Sequence, residues 1–284
     1  MEKGKRNITL PGSSLFLIAA TIFLLTCLTG CGQSNSKAIE ERLKKLEEAN
    51  AAYQKKLDRL DAIQEIQNLM GRYVWMHEVQ KDPEFFDTMF AKNNPDVSWE
   101  VAHMGLYRGR EAVKEILDQH GPKGGTISPG TLFIHTLTTP VIEIAEDGLT
   151  AKGVWKSPGA ETITDPQTGK LRGMWAWTKY ACDFVKEDGK WKILHYHVYR
   201  IFMTPADMNY TDEYESKFMS KSTAVAPAAS ETRQGTSLKE PTTYDNPFTT
   251  KYVPELVPAP PEPYKTFSET FSYGKPATKE KSNN

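Results

Sequence analysis

Apolar positions along this chain change their period three times, and each change marks a different kind of element. From Ile39 the spacing alternates between four and three: Ile39, Leu43, Leu46, Asn50, Tyr53, Leu57 and Leu60. That is a heptad pattern, with Asn50 at an a position, where a buried amide fixes register. Arg42 with Glu47, and Lys56 with Asp61, place opposite charges at the flanking positions of a parallel partner. A more apolar helix is predicted over Ala62 to Val79, where Ile63, Ile66, Leu69, Met70, Tyr73, Val74 and His77 keep helical spacing. Asp82-Pro83 breaks it, and Pro83 suits the first turn of a short helix running to Ala91. Val97 to Ala102 alternates as a strand, with Met104 to Tyr107 as its return. Arg110 to His120 reads as a third helix. After the Gly/Pro-rich loop from Gly121 to Gly130, the period becomes two. Strands are predicted at Thr131 to Ile144, Leu149 to Lys156, Met174 to Lys186 and Trp191 to Met203. Asp188-Gly189 between the last two is a hairpin signal. Helices first and strands afterwards predict an α+β fold, its helices on one face of a curved antiparallel sheet, preceded by a long N-terminal helix.

Both ends of the chain depart from this core. Lys3, Lys5 and Arg6 precede an apolar run from Leu15 to Leu28, and Leu28-Thr29-Gly30-Cys31 closes it. This arrangement resembles the bacterial lipoprotein motif. The resemblance implies cleavage before Cys31, lipidation of Cys31, and a protein held on the extracytoplasmic face of a cell membrane. The competing reading, a transmembrane helix, requires about 20 apolar residues, more than this run supplies. Residues 1–30 are thus expected to be a signal peptide, 31–60 a spacer and stalk helix, and 61–204 the folded domain. Residues 205–284 form a Pro/Tyr-rich extended arm. Within that arm, Ser220 to Glu240 reads as a linker, and the aromatics between Pro241 and Pro276 suit either a segment lying across a domain or plain disorder.

Composition narrows the function. With 35 basic and 36 acidic side chains the net charge is −1, which offers no basic footprint for nucleic acid. Of the three cysteines only Cys182 lies in the predicted domain, and it reads as a small buried hydrophobe. No nucleophile elbow, Walker loop or dinucleotide fingerprint occurs, so cofactor-free chemistry is expected.

Candidate chemistry gathers on histidines, a tyrosine and acids. Period two puts His135 on one strand face with Phe133 and Leu137, either as a core residue or as a titratable group in a pocket. His195 and His197 share a face by the same rule, with Trp191, Ile193 and Tyr199. They suit substrate contact better than metal binding, because zinc-type ligand spacings are missing. Tyr73 and His77 are four apart on one helix face, and Glu78 lies one step round. A tyrosine, a carboxylate and a histidine facing one cavity make an acid/base set. The bland alternative has Tyr73 in the core and His77 and Glu78 in solvent. Tyr107, Trp175 and the other tryptophans suit a ring-shaped ligand or ordinary packing.

The order of elements resembles the SnoaL-like branch of the nuclear transport factor 2-like superfamily, over about Leu60 to Met203. The carriers are Ile66-x-x-Leu69-x-x-Arg72-Tyr73 with an acid at Glu78, then Gly109-Arg110-Glu111-Ala112. His135 with Pro140 follows, and Asp188-Gly189-Lys190-Trp191-Lys192-Ile193 closes the series. The resemblance implies a cone-shaped α+β barrel wrapped around three helices, a small-molecule substrate, and a dimer or trimer. Among its members, scytalone dehydratase and bile-acid 7α-dehydratase are similar in their polar set, which falls here on Tyr73, Glu78 and His135. Glu78 stands where the family has an aspartate one methylene shorter. Asp183 is the candidate for orienting a histidine. The implied activity is a lyase (dehydratase) or isomerase for a small cyclic or aromatic substrate. His135 would remove a proton alpha to a carbonyl, and Tyr73 would stabilise the enolate oxygen. The alternative is a non-catalytic lipoprotein that binds a small molecule or scaffolds an assembly.

Overall fold

The computed structural model describes residues 33–122, 126–165, 168–212 and 239–274. The expected signal peptide, with Cys31, lies outside the described residues, as does the linker expected over Ser220 to Glu240 except for Lys239–Glu240, which form a strand. The chain divides into two units, residues 1–58 and 59–284. In the first, the described residues belong to helix α1, Gln33–Glu78, which continues into the second. Its heptad side chains are exposed, Leu46 by 65%, Tyr53 by 66% and Leu57 by 54%. No described helix is long and apolar enough to cross a membrane.

In the second unit, burial begins at Ala62 and repeats at Ile66, Met70 and Tyr73, the spacing of one helix face. α1 ends with Gln80 in the left-handed region, φ 52°. Lys81 N–H donates to Met76 O and Gln80 N–H to His77 O, a Schellman closure formed without the usual glycine. Helix α2, Asp82–Met89, starts at once with Pro83 in its first turn and buries Phe85, Phe86 and Met89. Helix α3, Arg110–His120, buries Ala112, Val113, Ile116 and Leu117.

The strands are β1 (Ser98–Val101), β2 (Gly105–Arg108), β3 (Phe133–His135), β4 (Thr138–Ile144), β5 (Thr150–Thr164), β6 (Leu171–Glu187), β7 (Lys190–Pro205) and β8 (Lys239–Glu240). They form one curved, unclosed sheet in the order β3-β5-β6-β7-β1-β2-β8, with β4 also on β5. The helices supply the apolar layer on its inner face, as the α+β expectation requires. β1 pairs with β7 in parallel, and every other pairing is antiparallel.

Beyond shifts of one to three residues at several element ends, three features differ from the sequence expectation. The strand predicted over Thr131 to Ile144 is two, parted at Thr136-Leu137, and within β4 the pairing with β5 shifts between Thr138 and Val141, where Thr139 takes φ 48° and Pro140 withholds a donor. β5 runs eight residues past Lys156, through Pro158 and Gly159. A bulge at Leu194 places Asp183 opposite His195 but Phe184 opposite Ile193. Trp191 and Ile193 therefore join the inner core, and His195, His197 and Tyr199 take the outer face instead of sharing theirs.

That outer face is covered by residues 239–274. β8 pairs with β2, and Phe248 N–H donates to Ile201 O. Two buried carboxylates hold the rest. Glu100 accepts from the hydroxyl of Thr242 and from the N–H and hydroxyl of Thr243. Asp183 accepts from Ser272 Oγ at 2.6 Å and Tyr273 N at 2.9 Å. Lys152 Nζ lies 2.7 Å from Asp183 and 2.6 Å from Phe271 O.

Candidate active site

Between the helices and the inner face of the sheet lies a cavity of about 220 Å³. Its acid/base groups arrive from four elements. α1 places Tyr73 and His77 one turn apart, so both face inward, and their rings stack at 5.6 Å. The Schellman turn then folds the chain back, so that Asp82 Oδ1 sits 2.7 Å from His77 Nδ1. Asp82 is only 2% exposed, and its Oδ2 is buried without a hydrogen-bond partner. Since a carboxylate only accepts, Nδ1 is the donor of this bond, and in the neutral ring the lone pair is then on Nε2.

A second pair faces the first. β3 carries His135, and its Nε2 lies 3.1 Å from Glu161 Oε1 on β5. Burial pushes the Glu161 carboxyl up, but the hydrogen bond and charge of His135, with His103 and His77 nearby, hold it below its ordinary value. The two imidazole rings stand 5.4 Å apart. The strand pairing brings His135 opposite Gly159, where a Cβ would lie 2.9 Å from His135 Nδ1 and 2.5 Å from Ile134 O.

Three buried phenols form a wall of the same cavity. Tyr73 and Tyr196 share a short hydroxyl–hydroxyl bond, and Tyr180 packs edge-on against Tyr196 at 5.6 Å. Burial drives all three phenols upward, so they remain neutral donors. Beyond them lie His103 and Arg200. Burial and the Arg200 charge push His103 down to about 4, and Arg200 pairs with Asp245 of the arm at 2.8 Å. His120 is likewise lowered by burial, and its Nδ1 donates to Ile116 O at 2.8 Å.

The structure thus brings Tyr73, His77 and His135 together. It does not bring in the other expected residues. Glu78 is exposed and off the cavity lining, because one step along a helix turns the side chain by about 100°. Asp82 supplies the carboxylate there instead. Asp183, His195 and His197 are buried on the outer face. Asp183 does orient a histidine, but it is His195, with Asp183 Oδ2 2.7 Å from its Nδ1. Trp175 has the outward parity of β6 and is 47% exposed. Tyr107 packs against Trp99 at 5.8 Å, outside the cavity lining. Sequence reading missed Asp82, Glu161, His103 and Arg200. Among the described residues, no group of three His, Cys, Asp or Glu side chains is placed to hold a metal ion.

Three helices on a curved, unclosed sheet with a cavity between them are consistent with the cone-shaped α+β fold of nuclear transport factor 2-like proteins. Residues 58–197 match the model of the SnoaL-like domain. A search of the curated proteins gave no match. Solved structures similar to this chain include a presumptive scytalone dehydratase from Novosphingobium aromaticivorans DSM 12444, 20% identical over 53% of this chain and 91% of its own, with TM-score 0.42. A LinA-type3 hexachlorocyclohexane dehydrochlorinase from Novosphingobium barchaimii LL02 is 18% identical over 55% and 97%, with TM-score 0.42. A function unknown protein from Mycobacterium tuberculosis is 19% identical over 64% and 93%, with TM-score 0.40.

Proposed function

We propose that the SnoaL-like domain is a cofactor-free lyase or isomerase that moves a proton alpha to a carbonyl in a small cyclic or aromatic substrate. One observation carries this reading: two histidine–carboxylate pairs, His77–Asp82 and His135–Glu161, meet across one cavity with their rings 5.4 Å apart. A base held in its lone-pair tautomer and a second imidazole beside it can take a proton and return one without any other group. His77 Nε2 is the base in this scheme. The His135–Glu161 pair lines the same cavity, and the proton the two share is the one returned to the departing hydroxyl of a dehydration or to the new carbon position of an isomerisation. The neutral phenol wall with Tyr73 faces the developing enolate oxygen. The base is therefore assigned to His77 and not to His135, where the sequence suggested it, because His135 Nε2 is engaged by Glu161 and its Nδ1 is buried against Gly159.

Alpha-proton exchange into deuterium oxide, followed by NMR over a panel of cyclic ketones and hydroxyketones, tests this whatever the leaving group is. Exchange that is lost in His77→Ala is expected. Ligands that bind and never exchange would make the domain a non-catalytic binder instead.

The same proposal places the domain outside the cytoplasm on a lipid anchor. Its support is the basic start, the Leu15 to Leu28 run and the Leu28-Thr29-Gly30-Cys31 sequence. Metabolic labelling with a radioactive fatty acid in a bacterial host should mark the wild-type chain and not Cys31→Ser. Equal labelling of both would remove the anchor from this reading.

A further inference from the structure

Helix α1 presents an apolar stripe that no other described residue of the chain covers. In the heptad frame Leu43, Asn50 and Leu57 fall at a, and Ile39, Leu46, Tyr53 and Leu60 at d. Leu43, Leu46, Tyr53, Leu57 and Leu60 are each more than 40% exposed. From Ala62 onward the frame changes owner. The buried positions Ala62, Ile66, Met70 and Tyr73 fall at f, c, g and c, and the continuing a and d positions, Gln64 and Gln67, are polar and exposed. The stripe thus ends where burial within the chain's own domain begins. It is three heptads long, bounded, and not a continuation of that core.

We propose that residues 39–60 form a parallel two-stranded coiled coil with a second copy of this chain. The stripe by itself says only that something apolar covers it; the charges say what. In a parallel pair each g residue faces the e residue of the next heptad on the partner, which sets Arg42 against Glu47 and Lys56 against Asp61, with no like-charge pair among them. On one helix these residues are five apart and do not face each other, since neighbours on a helix surface are three or four apart. The helix's own pairs follow that rule instead: Lys45 with Glu41 at 3.0 Å and Gln54 with Asp58 at 2.8 Å, both four apart. The Arg42–Glu47 and Lys56–Asp61 complementarity therefore has its use between chains. Asn50 at a central a position selects two strands in register, because two amides can bond across the seam while a shifted partner would bury one against leucine. The opposite orientation loses the g-to-e matching.

The test uses the full chain in detergent micelles, with mass read by light scattering. Wild type is expected at twice the mass of one chain, and Leu43→Asp with Leu57→Asp at the mass of one, with unchanged near-ultraviolet circular dichroism reporting an intact domain. Glu48→Lys, at the outward f position, should leave the mass of wild type. Arg42→Glu is expected to shift the dimer midpoint to at least threefold higher protein concentration in low salt. Adding Glu47→Arg in the same chain should restore it, a rescue that only pairing between chains gives. A single-chain or three-chain mass for wild type overturns the proposal. So does a dimer that survives the double aspartate variant, or a charge reversal that Glu47→Arg does not rescue.

Discussion

At the scale of single residues, the proposed reaction turns on the His77–Asp82 pair. Asp82→Asn keeps the side-chain volume but lets the amide donate to His77 Nδ1, which favours the wrong tautomer and removes the charge that supports an imidazolium. A loss of about 10²-fold or more in alpha-proton exchange is expected, with little change in substrate affinity. The exchange rate of the variant at saturating substrate checks it. Tyr73 and His135 were legible because they sit in motifs, and His77 because it is one turn from Tyr73. Asp82 was not, since it lies beyond a helix break and returns only through a left-handed Gln80 that sequence gives no reason to expect. Glu161 was hidden similarly, past a Pro-Gly step that reads as a strand end.

A second residue-scale expectation concerns the outer face. Burial pushes His195 down, but hydrogen bonds and charge from Asp183 and Asp96 outweigh it and raise the imidazole to about 9. A folded value above the unfolded one, about 6.5, means that protonated His195 stabilises the fold fully below about pH 6.5. That contribution fades as pH rises through about 9 and amounts to about 3 kcal/mol at most. Urea midpoints at pH 6 and pH 9.5 should differ accordingly, and His195→Gln should flatten the difference. Asp183 works at the other end. Burial opposes its ionisation, yet His195 and Lys152 keep it below its ordinary value, so its contribution is present above about pH 4 and is lost as pH falls further.

At the scale of elements, period two located the strands well, but it could not place the irregularities that assign faces. One extra residue at Leu194 sends Ile193 inward and His195 outward, and alternation alone assigned both to one face. Gly159 is the counterpart on β5. A methyl there would meet Ile134 O at 2.5 Å and Ala176 O at 3.0 Å, both backbone atoms, as well as His135 Nδ1. Gly159→Ala is expected to cost about 1–3 kcal/mol, the range for overpacking, and to lower activity further by moving His135. Denaturation midpoint and exchange rate, measured together, separate the two effects. A variant that keeps both would show that β3 yields freely.

At the scale of the molecule, helix-first order and strand period made the α+β cone readable, and the family match covers the same stretch. The arm is different. Its prolines and aromatics suit docking or disorder equally, because its anchors, Glu100 and Asp183, are single acids on distant strands with no local pattern to announce them. Ending the chain after residue 238 would uncover Val154, Ala181 and Tyr199, which now pack with Tyr244, Val257 and Tyr273. The shortened chain is expected to bind a hydrophobic dye and to unfold at lower urea than the whole one. Unchanged dye binding would mean that the sheet closes this face without help.

The bond from Thr242 to Glu100 spans 142 residues of sequence, and it also has a meaning in time. A ribosome makes Glu100 and Asp183 long before it makes the threonines and the serine that satisfy them. Until then both carboxylates stay in water, and the outer side of the sheet must remain open. Contacts of such long separation form late, and here the segment that is made later is also the one that is needed later. A nascent chain of this protein therefore keeps the outer side of its sheet open until residues 239–274 have been made, so whatever guards that face has to act until then.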